Sequence, residues 1–503
     1  MSEGPDEPGV PQDVLTVRRQ KLDALRARGV QPYALSFAKD ADAADVVAEF
    51  GRLEAGEETA ERRSVAGRLV LFRRLGSKLA FGVVRDRSGD VQLFLDADTL
   101  GDERLAELGS DLDLGDVVGA SGAVVKTKKG EVSVKADQVT LLAKSLRPMP
   151  EKFHGLRDVE ARYRQRYLDL ASNPESRTVA HARAKVLAAF RALLDGRGFL
   201  EVETPILQVV PGGGLANPFV THHDALDIDM YLRIAPELFL KRLLVGGLER
   251  VYEIGRTFRN EGVSTQYNPE FTMLEAYQAY GDYFDMMELV EALVKDAALA
   301  VRGSLRFDYQ GQELDLETPW RRATVAELVS EAVGEDVSIH TGAEGLRGLA
   351  DRLGVNHDPK WGPGKLLVEL FEKLVERTLV QPTIVKDFPR EVSPLARTHR
   401  DKPDLTEHFD LILGGVEIAP AYSELNDPDE QRRRFEMQAE QKAAGADETH
   451  PFDEEFLVAL EHGMPPAGGM GLGVDRLLMF LTDSPSIRDV ILFPHLRPEP
   501  GPS

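Results

Sequence analysis

The chain has 503 residues, 42% hydrophobic and 29% charged, a balance that suits two or more folded domains with ample core. It contains no cysteine, which excludes disulfides, thiolate zinc sites and cysteine nucleophiles. A net charge of -23 argues against indiscriminate nucleic-acid binding but leaves room for a local basic surface holding one structured RNA.

The opening "SEGPDEPGVPQD" is acidic and proline-rich, so residues 1–12 read as a disordered tail rather than a basic-then-apolar leader. No apolar run is long enough to span a bilayer, which predicts a cytoplasmic location and no membrane partner. From Asp13 a helix is expected, with Val14, Val17, Leu22 and Leu25 at helical spacing and Gly29 as its stop. Arg18, Arg19, Lys21, Arg26 and Arg28 lie mostly on its other side, either as a solvated face or as a surface that brushes RNA.

Ser64 to Leu142 is rich in Val and Leu, with Gly at the bends, and reads as five short strands. A small barrel of the OB type fits, a fold whose open face commonly takes single-stranded nucleic acid, although other small β domains fit the pattern almost as well. The first domain is drawn over 13–150, ending at the connector near Pro150, and the second over 151–503. A long helix is expected from about Ser176 to Gly198, and the stretch of about 299–382 reads as a helix-rich insertion.

Chemistry concentrates in two places. In "RTFRNEGVSTQYNPEF", Glu261 can hold the planar fork of Arg259 in one orientation while its outer edge grips an anion, and Phe271 offers a flat face to a base. A plain Arg–Glu pair on a hairpin with a core Phe is the bland alternative. In "GGMGLGVDRLLMF", Gly469, Gly471 and Gly473 would let backbone approach a ligand closely, and Arg476 opens a helix.

"FLEVETPIL", "FRNEG…NPEF" and "GMGLGVDR" resemble, in order, the three motifs of class II aminoacyl-tRNA synthetases. The stretch from "PGGGLANPF" to "GRTFRNEG", with "AYSELNDP", is similar to the bacterial lysyl-tRNA synthetase subgroup, and the likeness runs from about Asp13 to Pro498. The resemblance implies an α+β, multidomain chain: an N-terminal OB-fold barrel and a C-terminal antiparallel sheet flanked by helices. It also implies a homodimer that joins lysine to tRNA(Lys) through a lysyl-adenylate, using ATP and Mg2+.

Residue by residue, it assigns Arg259 to the amino-acid carboxylate and the α-phosphate, and Phe271 and Arg476 to the two faces of the adenine. Glu261, Tyr267, Asn268 and Glu417 complete the ATP site, and Asp410 and Glu417 take the metal. Gly213 and Glu237 hold the α-amino group of lysine and Glu275 lines the same pocket; Tyr277 and Glu424 receive its ε-ammonium. Phe81, Gln92 and Glu131 fall on positions that stack on and bond the central anticodon uridine, which favours the RNA reading of the basic helix.

Four positions depart from the family pattern. Tyr267 stands where His or Arg is usual, Pro420 where Asn is frequent, Asn217 where a basic residue is common, and Asp410 where Glu is common. They leave open a working enzyme with compensations, a slow duplicate, or a catalytically weakened paralogue that binds tRNA or nucleotide as a regulator.

Overall fold

The computed structural model describes residues 12–150, 156–443 and 450–499. Apart from Gln12, the expected tail lies outside these residues, as does the start of the connector after Pro150. The chain divides into two compact units: Met1–Arg162 with Tyr167–Ser172, and Tyr163–Arg166 with Asn173–Ser503.

In the first unit, β1 (Glu58–Arg74), β2 (Leu79–Arg85), β3 (Asp90–Asp96), β4 (Val117–Lys126) and β5 (Val132–Ala143) close into a barrel of order β1-β2-β3-β5-β4. Strict alternation along β2 and β3 sends Ala80, Val84, Val91, Leu93 and Leu95 inward. Helices α1 (Gln12–Ala27) and α2 (Ala43–Phe50) precede the strands.

The expected RNA-facing side of α1 is largely committed within the protein. Arg18 is buried and donates to the carbonyls of Leu114, Ser145 and Arg147, while Lys21 pairs with Asp113 and Arg28 with Asp111. Carbonyls at a strand end need donors, and these cations supply them. Arg19 and Arg26 stay outward, Arg28 is exposed beside its Asp111 partner, and Val17, expected inside, is half exposed.

The second unit is built on eight strands: β6 (Leu200–Glu201), β7 (Arg250–Phe258), β8 (Glu270–Ala279), β9 (Arg321–Thr324), β10 (Thr383–Lys386), β11 (His408–Leu413), β12 (Val416–Ser423) and β13 (Ala467–Gly473). They run in the order β9-β10-β11-β12-β13-β8-β7-β6, antiparallel except for the outer pairs β9/β10 and β7/β6. Helices α3 (Pro174–Gly196) and α5 (Tyr283–Arg302) belong to its main core, where Phe190, Leu194, Val290 and Leu293 are fully sealed. Between these lies α4 (Glu237–Val245). Residues 299–382 hold a hairpin, the edge strand β9 and three helices that gather an apolar cluster of their own.

The glycine run acquires its physical reason in β13. Gly473, Gly471 and Gly469 lie in register with Met273, Glu275 and Tyr277 on β8, while Leu472 and Met470 face the core. Because strand side chains alternate, every second residue of β13 must be small if the β8 row is to lean across it. The closest approach is by the protein's own side chains: a Cβ at Gly469 would collide with Glu424 Oε1 and the Tyr277 ring. Gly469 therefore seats Glu424 and Tyr277, whereas Gly471 and Gly473 each line a cavity with no side chain pressed against them, as a close backbone approach to a ligand requires.

Candidate active site

Two cavities meet at Arg259. The first, of about 120 Å³, is lined by Arg259, Glu261, Tyr267, Asn268, Phe271, Glu417 and Arg476 among others. The second, of about 280 Å³, is lined by Gly213, Glu237, Arg259, Glu275, Tyr277, Asp410 and Glu417 among others. Arg259, Met273, Glu417 and Pro420 border both.

The expected pairing of Arg259 with Glu261 does not form. Glu261 is exposed and meets Arg259 only through its backbone N–H, which donates to the Arg259 carbonyl at 2.9 Å. The guanidinium instead lies 5.3 Å from the Phe271 ring centre, and its buried Nε has no hydrogen-bond partner. Backbone bonds fix the loop: Arg259 N–H donates to Pro269 O and Asn260 N–H to Asn217 O. A cation held by backbone and ring contact alone remains available to an anion.

On the first side, Arg476 donates to the Glu417 carbonyl at 2.7 Å, and its guanidinium lies 5.6 Å from the Tyr267 ring centre. Asn268 lines the cavity but commits both ends of its amide, Nδ2 to Glu270 O and Oδ1 to His495 N–H, so it holds the loop. Asp475 accepts from Thr272 N–H and meets Arg183, which ties the start of α6 (Val474–Thr482) to β8 and α3.

On the second side, charge is sealed from water. Burial pushes the Glu275 carboxyl well above its usual range, with Glu237 adding to the effect and Tyr277, Arg233 and Arg259 opposing it. Tyr277 donates to Glu275 at 3.1 Å. Gly213 has φ of 85°, and a Cβ there would stand 2.8 Å from Glu237 Cβ, so both conformation and space call for glycine. Its N–H donates to His450 Nε2 at 3.0 Å.

Glu424 is the exception among the lysine positions. It does not line the cavity; it is 1% exposed, behind Tyr277 and Gly469, and its Oε2 stands 2.5 Å from Lys241 Nζ. Burial pushes its carboxyl up to about 7, with Lys241 pulling it down and Glu237 raising it further. Lys241, His450 and the Ser393–His408 pair are site residues that the sequence reading missed. Lys241 carried a readable signal, since it follows Glu237 by four residues on one helix. His450 and Ser393 carried none.

Asp410 and Glu417, the expected metal ligands, both line the second cavity, and among the described residues no third carboxylate or imidazole joins them in a metal-binding group. Burial raises the Glu417 carboxyl and Asp410 raises it further, while Arg476, Arg259 and His408 pull it down. His408 Nε2 bonds Asp410 Oδ1 at 3.0 Å, while its Nδ1 bonds Ser393 Oγ at 2.9 Å. Phe388 and Tyr422 pack on the ring at 4.1 and 4.5 Å, so Asp410 is oriented and its second oxygen left free.

In the barrel, Phe81 meets Phe94 edge-to-face at 5.3 Å, and Ser133 Oγ donates to Gln92 Oε1 at 2.8 Å and to Glu131 O at 3.3 Å. Phe81 on β2 and Gln92 on β3 thus share one face of the barrel, while Glu131 precedes β5 and meets Ser133 only through its carbonyl.

A family model described as "tRNA synthetases class II (D, K and N)" matches residues 158–497, and one for an "OB-fold nucleic acid binding domain" matches 64–142. Lysine–tRNA ligase of Moorella thermoacetica is 52% identical, covering 97% of this chain and 98% of its own. Those of Synechococcus sp. and Thermosynechococcus vestitus are 53% and 50% identical, covering 96% and 97% of this chain and 98% and 97% of their own. The chain belongs to the class II lysine–tRNA ligase family. The OB barrel and the antiparallel class II sheet expected from the family are both present. No helix among the described residues is long and apolar enough to cross a membrane.

Proposed function

We propose that the protein joins L-lysine to tRNA(Lys) in two steps within the paired cavities. The observation that carries this is the unpartnered Arg259 guanidinium on their shared wall. It can draw the lysine carboxylate and the α-phosphate together, two anions that would otherwise repel. The carboxylate oxygen attacks the α-phosphorus, the bond to pyrophosphate breaks, and lysyl-adenylate forms. The 3′-terminal ribose hydroxyl of the tRNA then attacks the acyl carbon and AMP leaves. No side-chain nucleophile is required; positioning and charge stabilisation supply the rate.

Gly213 and Glu237 take the α-amino group, Glu275 lines the same pocket, and Tyr277 and Glu424 take the ε-ammonium. Phe271 and Arg476 take the adenine, with Glu261, Tyr267, Asn268 and Glu417 around the nucleotide. Asp410 and Glu417 would hold magnesium, which screens the triphosphate. Phe81, Gln92 and Glu131 read the anticodon. The protein works as a homodimer, a reading supported by the exposed apolar side chains Leu200, Ile206, Leu207, Val209, Val220 and Leu226. It acts in the cytoplasm, where charged tRNA is consumed.

Lysine-dependent exchange of pyrophosphate into ATP tests this. The purified protein is expected to exchange with L-lysine and not with L-aspartate or L-asparagine. Exchange with those and none with lysine would refute the specificity; exchange with no amino acid would refute the ligase reading.

A further inference from the structure

Glu237, Lys241 and Glu424 form an array that the roles above use only in part. Lys241 lies one helical turn after Glu237 on α4, and its ammonium stands 2.6 Å from Glu237 Oε1 and 2.5 Å from Glu424 Oε2. The Lys241 side chain is wholly buried. Burial alone would depress its charge, but the two carboxylates hold its pKa above the usual range, so it is a permanent internal cation.

Each glutamate gives one oxygen to Lys241 and keeps another. Glu237 Oε2 lies 3.5 Å from the place a Cβ on Gly213 would take, at the end of the cavity assigned to the α-amino group. Glu424 Oε1 lies against Gly469 beside the Tyr277 ring, sealed from solvent and without a hydrogen-bond partner. An orphaned carboxylate oxygen in such a place is costly unless a cation arrives. A diamino acid brings two ammonium groups. One ammonium of the protein therefore ties together the two carboxylates meant for the two ends of the guest.

We propose that Lys241 is a specificity-determining positioning residue: by holding one oxygen each of Glu237 and Glu424, it fixes the spacing of the carboxylates that grip the guest's two ammonium groups and so sets the guest's length. The proposal rests on the lysine reading above. A merely structural ion pair needs one carboxylate. Lys241 serves two, from positions far apart in the chain, and each keeps a second oxygen: that of Glu237 beside Gly213 at the cavity and that of Glu424 behind Gly469 and Tyr277. Without the shared cation the carboxylates would repel, one would take up a proton, and the separation between the two anchors would be lost.

The test uses the full chain with Lys241→Met and Lys241→Arg. Pyrophosphate exchange is measured with L-lysine and with L-ornithine, one methylene shorter, together with ATP KM, calorimetric lysine binding and thermal melting. For Lys241→Met the lysine KM is expected to rise about tenfold, the ATP KM to stay within twofold, and the lysine-over-ornithine ratio of kcat/KM to fall at least fivefold. Lys241→Arg keeps a cation, so it should melt like the parent, recover most of the lysine KM and shift the ratio through its wider fork. A ratio equal to the parent's in the folded variants overturns the proposal, as does an equal rise in lysine and ATP KM. If Lys241→Met does not fold, the ratio in Lys241→Arg decides. A parent that neither binds lysine nor exchanges with it brings down the lysine reading itself, and the proposal with it.

Discussion

Arg259 stands between a cavity proposed for the nucleotide, where Tyr267 and Glu261 are open to water, and one proposed for the amino acid, backed by the buried carboxyls of Glu237, Glu275 and Glu424. Tyr267 is 49% exposed and Glu261 is also exposed, whereas Glu275 is 4% and Glu424 1% exposed. A base held by a ring and a guanidinium gains modestly and tolerates small changes in position. A guest ammonium held by desolvated carboxylates gains much more when it fits, and leaves unpaired charge behind when it does not. Selection is therefore concentrated on one side of the shared wall, and capture of the common fuel molecule on the other.

The wall itself should show the largest effect. Arg259→Lys keeps the charge but loses the fork that can face both cavities; exchange should fall about 1,000-fold, with both substrates bound less well. A loss confined to one substrate would show that Arg259 serves a single cavity. Next comes Glu424→Gln, for which lysine KM should rise about 100-fold while ATP KM holds, because a desolvated ammonium loses its anion. Equal losses would mean that Glu424 belongs to neither cavity in particular.

Acidity separates the two sides more gently. The carboxyl of Glu424, pushed up by burial to about 7, must be ionised to receive an ammonium. Lysine affinity should be full above about pH 8 and weaken by up to tenfold per unit as pH falls below 7, where a proton must first leave. Calorimetry at pH 6, 7 and 8 checks this, and a flat profile would show Glu424 to be ionised throughout. The smallest effect belongs to Tyr267→Leu, which removes the ring beside Arg476. A contact of about 0.5–1 kcal/mol predicts a twofold to fivefold rise in ATP KM and no change for lysine.

How much was legible in the sequence depended on whether a residue acts through local pattern or through a distant partner. Alternation along "LAFGVVR" and "DVQLFLD" is local, and the barrel follows from it. The run Gly469-x-Gly471-x-Gly473 was visible too, but the seat that Gly469 gives Glu424 and Tyr277 was not, because it lies in the register of β13 against β8. The Arg259–Glu261 neighbourhood suggested an ion pair, yet the loop turns Arg259 onto Phe271 and leaves Glu261 outside. The basic face of α1 misled in the same way, since Leu114, Ser145 and Arg147, whose carbonyls take Arg18, are about a hundred residues away. Glu424 could be picked out by its resemblance to the family. That it is sealed by Lys241 could not, because the contact joins a helix to the end of a strand that comes much later in the unit's sequence.

The two cavities share four lining residues, Arg259, Met273, Glu417 and Pro420, and three of these are long side chains able to turn aside. A bisubstrate inhibitor that mimics the mixed anhydride could therefore reach into both chambers at once. The second fragment would then bind at the effective concentration set by the first, so potency should greatly exceed that of either half alone.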